Sequence, residues 1–279
     1  MLKNKPYLIF LLFLPILLTS CLEERKIAGT FVRERPEINL LVFPTDLVYK
    51  YNHKGEMIPD FDQLSEMAQD SALYASSSYI QHLSDSVILE NYMNHFLDEL
   101  RLLGFKVYLN DAIDSFMTGK PQSYVLNIAQ LQLDEYNYPL EDKEEYEDTL
   151  YYKKFDLNAV DFSSWFELSK VNPETKRTTL LYATFTSYDT FDGSFYVDPW
   201  TMDIRYRYRI DTLTTHDIYD MATYLGKKHA EYLYDFFMNQ YIVYHLPKGE
   251  YPLYYYHYSR QRNAIFPTED QGFEIQGTK

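Results

Sequence analysis

The chain has 279 residues, a formal net charge of −15 from 26 Lys and Arg against 41 Asp and Glu, and 29 tyrosines. That balance excludes nucleic acid and anionic membrane surfaces as general partners, because the net field repels polyanions. A single cysteine excludes an internal disulfide, and only 9 glycines leave little scope for the close backbone approach that cofactor phosphates need.

At the start of the chain, Lys3 and Lys5 precede an apolar run from Leu8 to Leu18, then Thr19, Ser20 and the sole cysteine, Cys21. Charge, apolar core and small residues in that order form an export signal. The run falls short of the about 20 residues that span a bilayer, is broken by Pro15, and is followed at once by Glu23, Glu24 and Arg25. Leu18-Thr19-Ser20-Cys21 resembles the lipobox of bacterial lipoproteins. The resemblance implies cleavage before Cys21, a diacylglycerol thioether on its sulfur and an acylated new amino terminus. Residues 1–20 would then be a signal peptide and residues 21–37 a lipidated tether, charged and without periodicity. Two or more acyl chains hold a protein stably on a membrane. Leu22 in place of an aspartate implies the outer membrane, and Glu23-Glu24 resembles the surface-export signal of Bacteroidota lipoproteins.

Residues 38–246 read as the folded domain. Ile38 to Phe43, closed by Pro44, predicts a buried strand; residues 53–62, with Gly55, Pro59 and Asp60, predict a loop; Phe61 to His82 is loosely helical. Ile88, Leu89, Tyr92, Met93, Phe96, Leu97, Leu100 and Leu103 predict a helix, capped by Ser84 or Ser86 and stopped by Gly104, with a strand from Phe105 to Leu109 after it. Asn110-Asp111 caps a short helix over Ala112 to Met117, ended by Gly119 and Pro121. Tyr124 to Leu133 reads as a strand buried on both faces in its first half. Residues 138–150, with Glu141-Asp142-Lys143-Glu144-Glu145, read as an acidic, solvated insertion. A hairpin follows, with strands over Val160 to Leu168 and Thr179 to Ser187 about a turn at Asn172-Pro173-Glu174. Ile204 to Ile210 alternates three arginines with two tyrosines and two isoleucines, and Thr215 caps a long helix from His216 to about Tyr244. Residues 247–279 are a tyrosine-rich tail that adds an edge strand or lies over the domain.

This order predicts an α+β or α/β single domain, a mixed sheet with packed helices. From about Ile38 to Tyr244 it resembles the small domain of envelope lipoproteins related to the curli secretion channel subunit and to activators of peptidoglycan synthases. No segment reads as the extra hairpins of the channel-forming members.

Catalytic motifs are missing from the sequence: it holds no Gly-x-Ser-x-Gly elbow, phosphate-cradling glycine loop or His-Glu-x-x-His helix, so no catalytic residue, metal or cofactor is expected. His216, Asp217 and Asp220 are better explained by the helix dipole than by a metal, and Asp189, Asp192 and Gly193 by a polar turn than by calcium. Carboxylates for glycoside hydrolysis could be drawn from Glu135, Asp161 or Glu167. Arg205, Arg207 and Arg209 form the candidate interaction strip, against the simpler reading of cross-strand pairing with acids. Ser71, Ser86, Thr149 and Thr212 each follow an aspartate and precede an aliphatic residue, resembling the O-glycosylation sequon of Bacteroidota. The expectation is a non-catalytic outer-membrane lipoprotein that binds another envelope protein. Its alternative is a surface glycan binder using Trp165, Trp200 and Tyr254 to Tyr256, or a glycan hydrolase with an unrecognised acid pair.

Overall fold

Strand β4 (Ser123–Tyr146), 24 residues long, is the spine on which the other elements are arranged. The computed structural model describes residues 23–118, 122–171 and 178–276; Cys21, the signal peptide and the turn at Asn172-Pro173-Glu174 lie outside them. On one side, β1 (Asn39–Phe43) and β2 (Tyr49–Asn52) both run parallel to β4, one after the other, and β3 (Lys106–Tyr108) runs parallel to β1. On the other side, β5 (Thr149–Lys170) and β6 (Thr178–Tyr188) form an antiparallel meander with β4. The result is a seven-stranded mixed sheet in an α+β fold, as expected.

One face of the sheet carries the long helices α3 (Asp85–Leu102) and α5 (Thr215–His245). Ile88, Tyr92, Phe96 and Leu100, one turn apart, are buried between α5 and the sheet, where the ring of Tyr92 stacks on Phe162 and that of Phe96 on Phe166. Gly104, at φ +99°, ends this element as the sequence predicts. Ser84 occupies its N-cap, but its hydroxyl bonds Ser86 Oγ at 2.8 Å rather than a backbone amide. The cap of α5 is Thr214, one residue before the expected Thr215, because Asp217 then falls three residues on and closes a reciprocal capping box. A shorter helix, α2 (Glu66–Ser76), buries none of its residues, and α4 (Ile113–Met117) buries only Phe116.

Three expectations are corrected. The first half of β4 is not buried on both faces. A bulge between Ile128 and Gln130 lets the strand slip by one residue, so Leu126 and Ile128 before it and Leu131 and Leu133 after it all point into one core. Residues 138–150 are solvated, as expected, but they are no insertion: they continue β4 into β5, paired residue for residue as far as Tyr146 and Thr149. The two-residue turn, Glu147-Asp148, is left-handed at both positions, which suits the twist of a hairpin. The segment read as a tether contains a helix, α1 (23–34). Glu24, Ala28 and Phe31 recur on one of its faces and are buried, and Phe31 lies 5.3 Å from the rings of both Tyr234 and Tyr241 on α5.

The tail both covers the domain and adds an edge. Its hairpin, β9 (Tyr255–Ser259) with β10 (Ala264–Thr268), lies against α5, and β11 (Glu274–Gln276) pairs antiparallel with β6. Buried polar side chains hold it down. Glu24 Oε1 accepts from Leu253 N at 2.8 Å, and Asn239 exchanges bonds with the Tyr256 backbone at 2.8 and 2.9 Å. Glu99 receives a two-pronged contact from Arg260 at 2.8 and 3.0 Å. Asp235 takes Tyr258 N at 2.9 Å and meets His257 Nδ1 at 2.6 Å. Burial pushes the Asp235 carboxyl up to about 6, while its bond to Asp235 raises the His257 imidazole above its ordinary value.

Candidate functional site

Beyond the sheet, β4 and β5 continue as a two-stranded ribbon against which a second ribbon packs, formed by β7 (Thr190–Val197) and β8 (Ile204–Asp211). The two make an arm whose aromatic rings, most of them half-buried, pack against one another. Phe155 of β5 lies 4.7 Å from Phe191 and 4.8 Å from Tyr208, Phe195 lies 4.5 Å from Tyr206, and Tyr151 reaches Phe195 at 6.2 Å. Tyr206 donates to Asp142 Oδ2 at 2.7 Å, tying the second ribbon to the first. Gly193 is required there, since a Cβ would sit 2.2 Å from the Tyr206 hydroxyl. A sequence reader would pass over this arm, because the acids of residues 141–145 hide the strand alternation. Those acids fall on both faces of the ribbon, so neither is the apolar band of a lipid-facing hairpin.

Phe191 pairs with Phe155 near the base and Phe195 with Tyr151 farther out, so both ribbons turn at the same distal end. That end exposes Trp200 (92%), Met202 (73%), Tyr152 (63%) and Leu150 (59%). The turn carrying Trp200 is held in shape: Asp198 Oδ1 accepts from Trp200 N at 2.9 Å and Thr201 N at 3.3 Å, and its other oxygen meets Arg205 at 2.9 Å. The Trp200 amide above all holds the Asp198 carboxyl below its usual value.

The arginine strip lies along β8, as the alternation predicts, but two of its members are occupied. Arg205 is the partner of Asp198, and Arg209 binds Asp211 Oδ1 at 2.7 and 2.9 Å. Arg207 donates to Ser194 Oγ at 3.1 Å and lies over the Tyr196 ring, with no carboxylate partner among the described residues. Cross-strand and same-strand pairing therefore account for much of the strip.

At the base of the arm sits a buried polar knot that no local pattern signals. Lys54 Nζ donates to Glu135 Oε1 at 2.7 Å and to Asn158 Oδ1 at 2.8 Å, and the two charged side chains are 5% and 0% exposed. Glu135 also accepts from Ser77 Oγ at 2.8 Å and from the amides of Ser78, Tyr79 and Ile80 at 2.7, 3.1 and 3.2 Å. Burial alone would raise its pKa, but Lys54 and these donors outweigh that and leave it lowered. Asp189, at the junction of β6 and β7, takes the amide and side chain of Asn158 at 2.9 Å and Leu213 N at 2.8 Å. The knot thus joins β2's end, β4, β5, the start of β7 and the approach to α5 where the arm leaves the body.

The carboxylates considered for hydrolysis do not come together. Glu135 is locked in the knot, and Asp161, bonded by Tyr136 and Thr186 at 3.0 and 2.6 Å, is six residues from Glu167 on β5, about 20 Å along a strand. A glycosidase pair needs about 5 to 10 Å. The aromatic candidates are likewise scattered: Trp165 lies 4.9 Å from Tyr182 at a tilt of 45° on the open, polar face of the sheet beside the ladder Gln130, Gln132, Asp134, while Tyr256 is buried against α5. His216 and Asp220 are 3.6 Å apart and exposed, and Asp217 serves the cap. Ser71, Ser86, Thr149 and Thr212 are all exposed, Ser71 within α2 and the others at element ends. No group of three or more metal-ligating side chains occurs among the described residues, and no described helix is long and apolar enough to cross a membrane. No protein-family model matches the chain, and no curated protein is similar to it.

Proposed function

We propose that the protein is a lipid-anchored, non-catalytic lipoprotein of the outer membrane whose arm docks onto another envelope protein as an assembly or accessory subunit. The observation that carries this is the distal end of the arm, where Trp200 and Met202 are exposed on one turn and Leu150 and Tyr152 on the neighbouring ribbon, at the end of a stem whose half-buried aromatic rings pack against one another. Large apolar side chains on a preorganised support are what dominate protein interfaces, since little ordering entropy opposes their burial. Arg207, short of a carboxylate, supplies a charged contact along the flank.

Trp200→Ala should cost roughly 2 to 4 kcal/mol of partner binding, about thirtyfold or more in affinity, without altering the fold, because the side chain touches solvent. Co-purification of the full chain from native membranes checks this. Capture unchanged by Trp200→Ala would remove the arm from the account. Glycan binding is the second reading, favoured by the Trp165–Tyr182 pair on the polar sheet face. It requires the opposite result, oligosaccharide retention lost with Trp165→Ala and kept with Trp200→Ala.

A further inference from the structure

Between α1 and the β9–β10 hairpin runs an open groove of about 590 Å³, lined by Arg25, Arg33 and Arg35 together with Tyr258, Asn263 and Ile265. Among the described residues no carboxylate lines it, and the three guanidinium groups meet one acid, Glu34, at a loose 3.9 Å from Arg33. In a chain of net charge −15, three clustered arginines are a local reversal of sign. Arg35 is held at φ 46° directly after the helix, a position that favours glycine or asparagine, and is followed by Pro36.

The place of the groove says what would fill it. The first turn of α1 begins at residue 23, and a chain extends by at most about 3.6 Å per residue, so it lies within about 8 Å of Cys21. With Ala28 and Phe31 buried and Glu24 bonded to Leu253 N, α1 is part of the body and not a leash. An acyl chain on Cys21 would therefore hold this side of the body against the bilayer. We infer that the groove binds the phosphate of anionic lipid headgroups and sets the domain's attitude on its membrane, an inference that rests on the lipid-anchor reading. Guanidinium matches phosphate oxygens in two-pronged geometry. The protein's overall negative charge does not prevent this, because charges more than about 10 Å from the surface are screened at 0.1 M salt.

The test uses the full chain extracted from its own membranes and placed in phosphatidylcholine vesicles with or without phosphatidylglycerol. Phenylglyoxal modification of each arginine is read by peptide mass spectrometry. Arg25, Arg33 and Arg35 should react about fivefold more slowly when phosphatidylglycerol is present, from the attraction of each cation to an anionic surface, and high salt should erase the difference. Arg207, on the arm, should react equally in both. In the Arg33→Gln/Arg35→Gln variant, Arg25 should lose its protection. Equal reactivity of all three arginines in the two vesicles overturns the inference, as does equal protection by inorganic phosphate added to phosphatidylcholine vesicles. The mass of the amino-terminal peptide separates the two failures. Acylated Cys21 with unprotected arginines sinks the groove alone. Unmodified Cys21 with arginines still protected by phosphatidylglycerol supports the groove and removes the anchor.

Discussion

Lys54→Met should lower the stability of the protein by about 3 to 5 kcal/mol, the range for stripping one partner from a buried ion pair. Glu135 would keep its amide and hydroxyl donors but lose the one cation bonded to it among the described residues, in a fully buried position. For many buried pairs, replacing both members with apolar residues recovers the loss. Here it should not: Lys54→Met/Glu135→Leu should remain about 3 kcal/mol or more below the parent, because leucine orphans the amides of Ser78, Tyr79 and Ile80 as well as the Ser77 hydroxyl. The pH dependence has a definite sign. A carboxylate with a lowered pKa contributes stability that is present above its unfolded value and lost as pH falls through the folded one. Acid unfolding of Lys54→Met should therefore begin at higher pH than that of the parent. Urea denaturation across the acid range measures both effects, and a Lys54→Met chain as stable as the parent would show that the knot does not hold the arm to the body.

Gly226→Ala should destabilise by about 2 to 3 kcal/mol, although alanine is the better helix former by about 1 kcal/mol. The two long helices touch at this residue, and a Cβ on it would stand 2.3 Å from the Tyr92 carbonyl oxygen and 3.1 Å from the Phe96 nitrogen. Backbone atoms in the facing helix cannot swing aside as a side chain would, so α3 and α5 must separate. Their shared core would open with them, including the 2.8 Å bond between Tyr92 and His229, whose imidazole burial holds well below its ordinary value, at about 3. Gly29→Ala in α1 is the matched control. Nothing lies within 4 Å of its Cβ, so helix propensity acts unopposed and should add up to about 1 kcal/mol. Thermal unfolding of the two variants should move in opposite directions.

The parts of this fold that were legible in the sequence are those where burial and local periodicity coincide. Helix α3 places Ile88, Tyr92, Phe96 and Leu100 a turn apart, and β8 sets arginine against tyrosine without interruption. Where a buried position is polar, the pattern fails. Glu24 breaks the apolar stripe of α1, which therefore reads as tether, and Glu135 continues the inward face of β4 after Leu131 and Leu133 as a charge. Its partner lies 81 residues away, a separation that carries no local signal. The bulge at Ala129 makes one apolar face look like two. The arm shows a different limit: its strands half-bury aromatic residues against each other rather than in the main core, so hydropathy alone reads it as surface. For the candidate site, the arginine strip was visible as a face, but its pairing with Asp198 and Asp211 was not, because the turn that supplies Asp198 has no periodic pattern.

The central claim, that the end of the arm seats in another envelope protein, is tested most directly by placing a photoreactive benzoylphenylalanine at position 200 of the full chain in its native membrane. Position 67, on the surface helix α2 and 81% exposed, serves as the control. The expected result is one discrete adduct with a different protein from position 200 and none from position 67. No adduct, the same ladder from both positions, or an adduct with a second copy of this chain would contradict it.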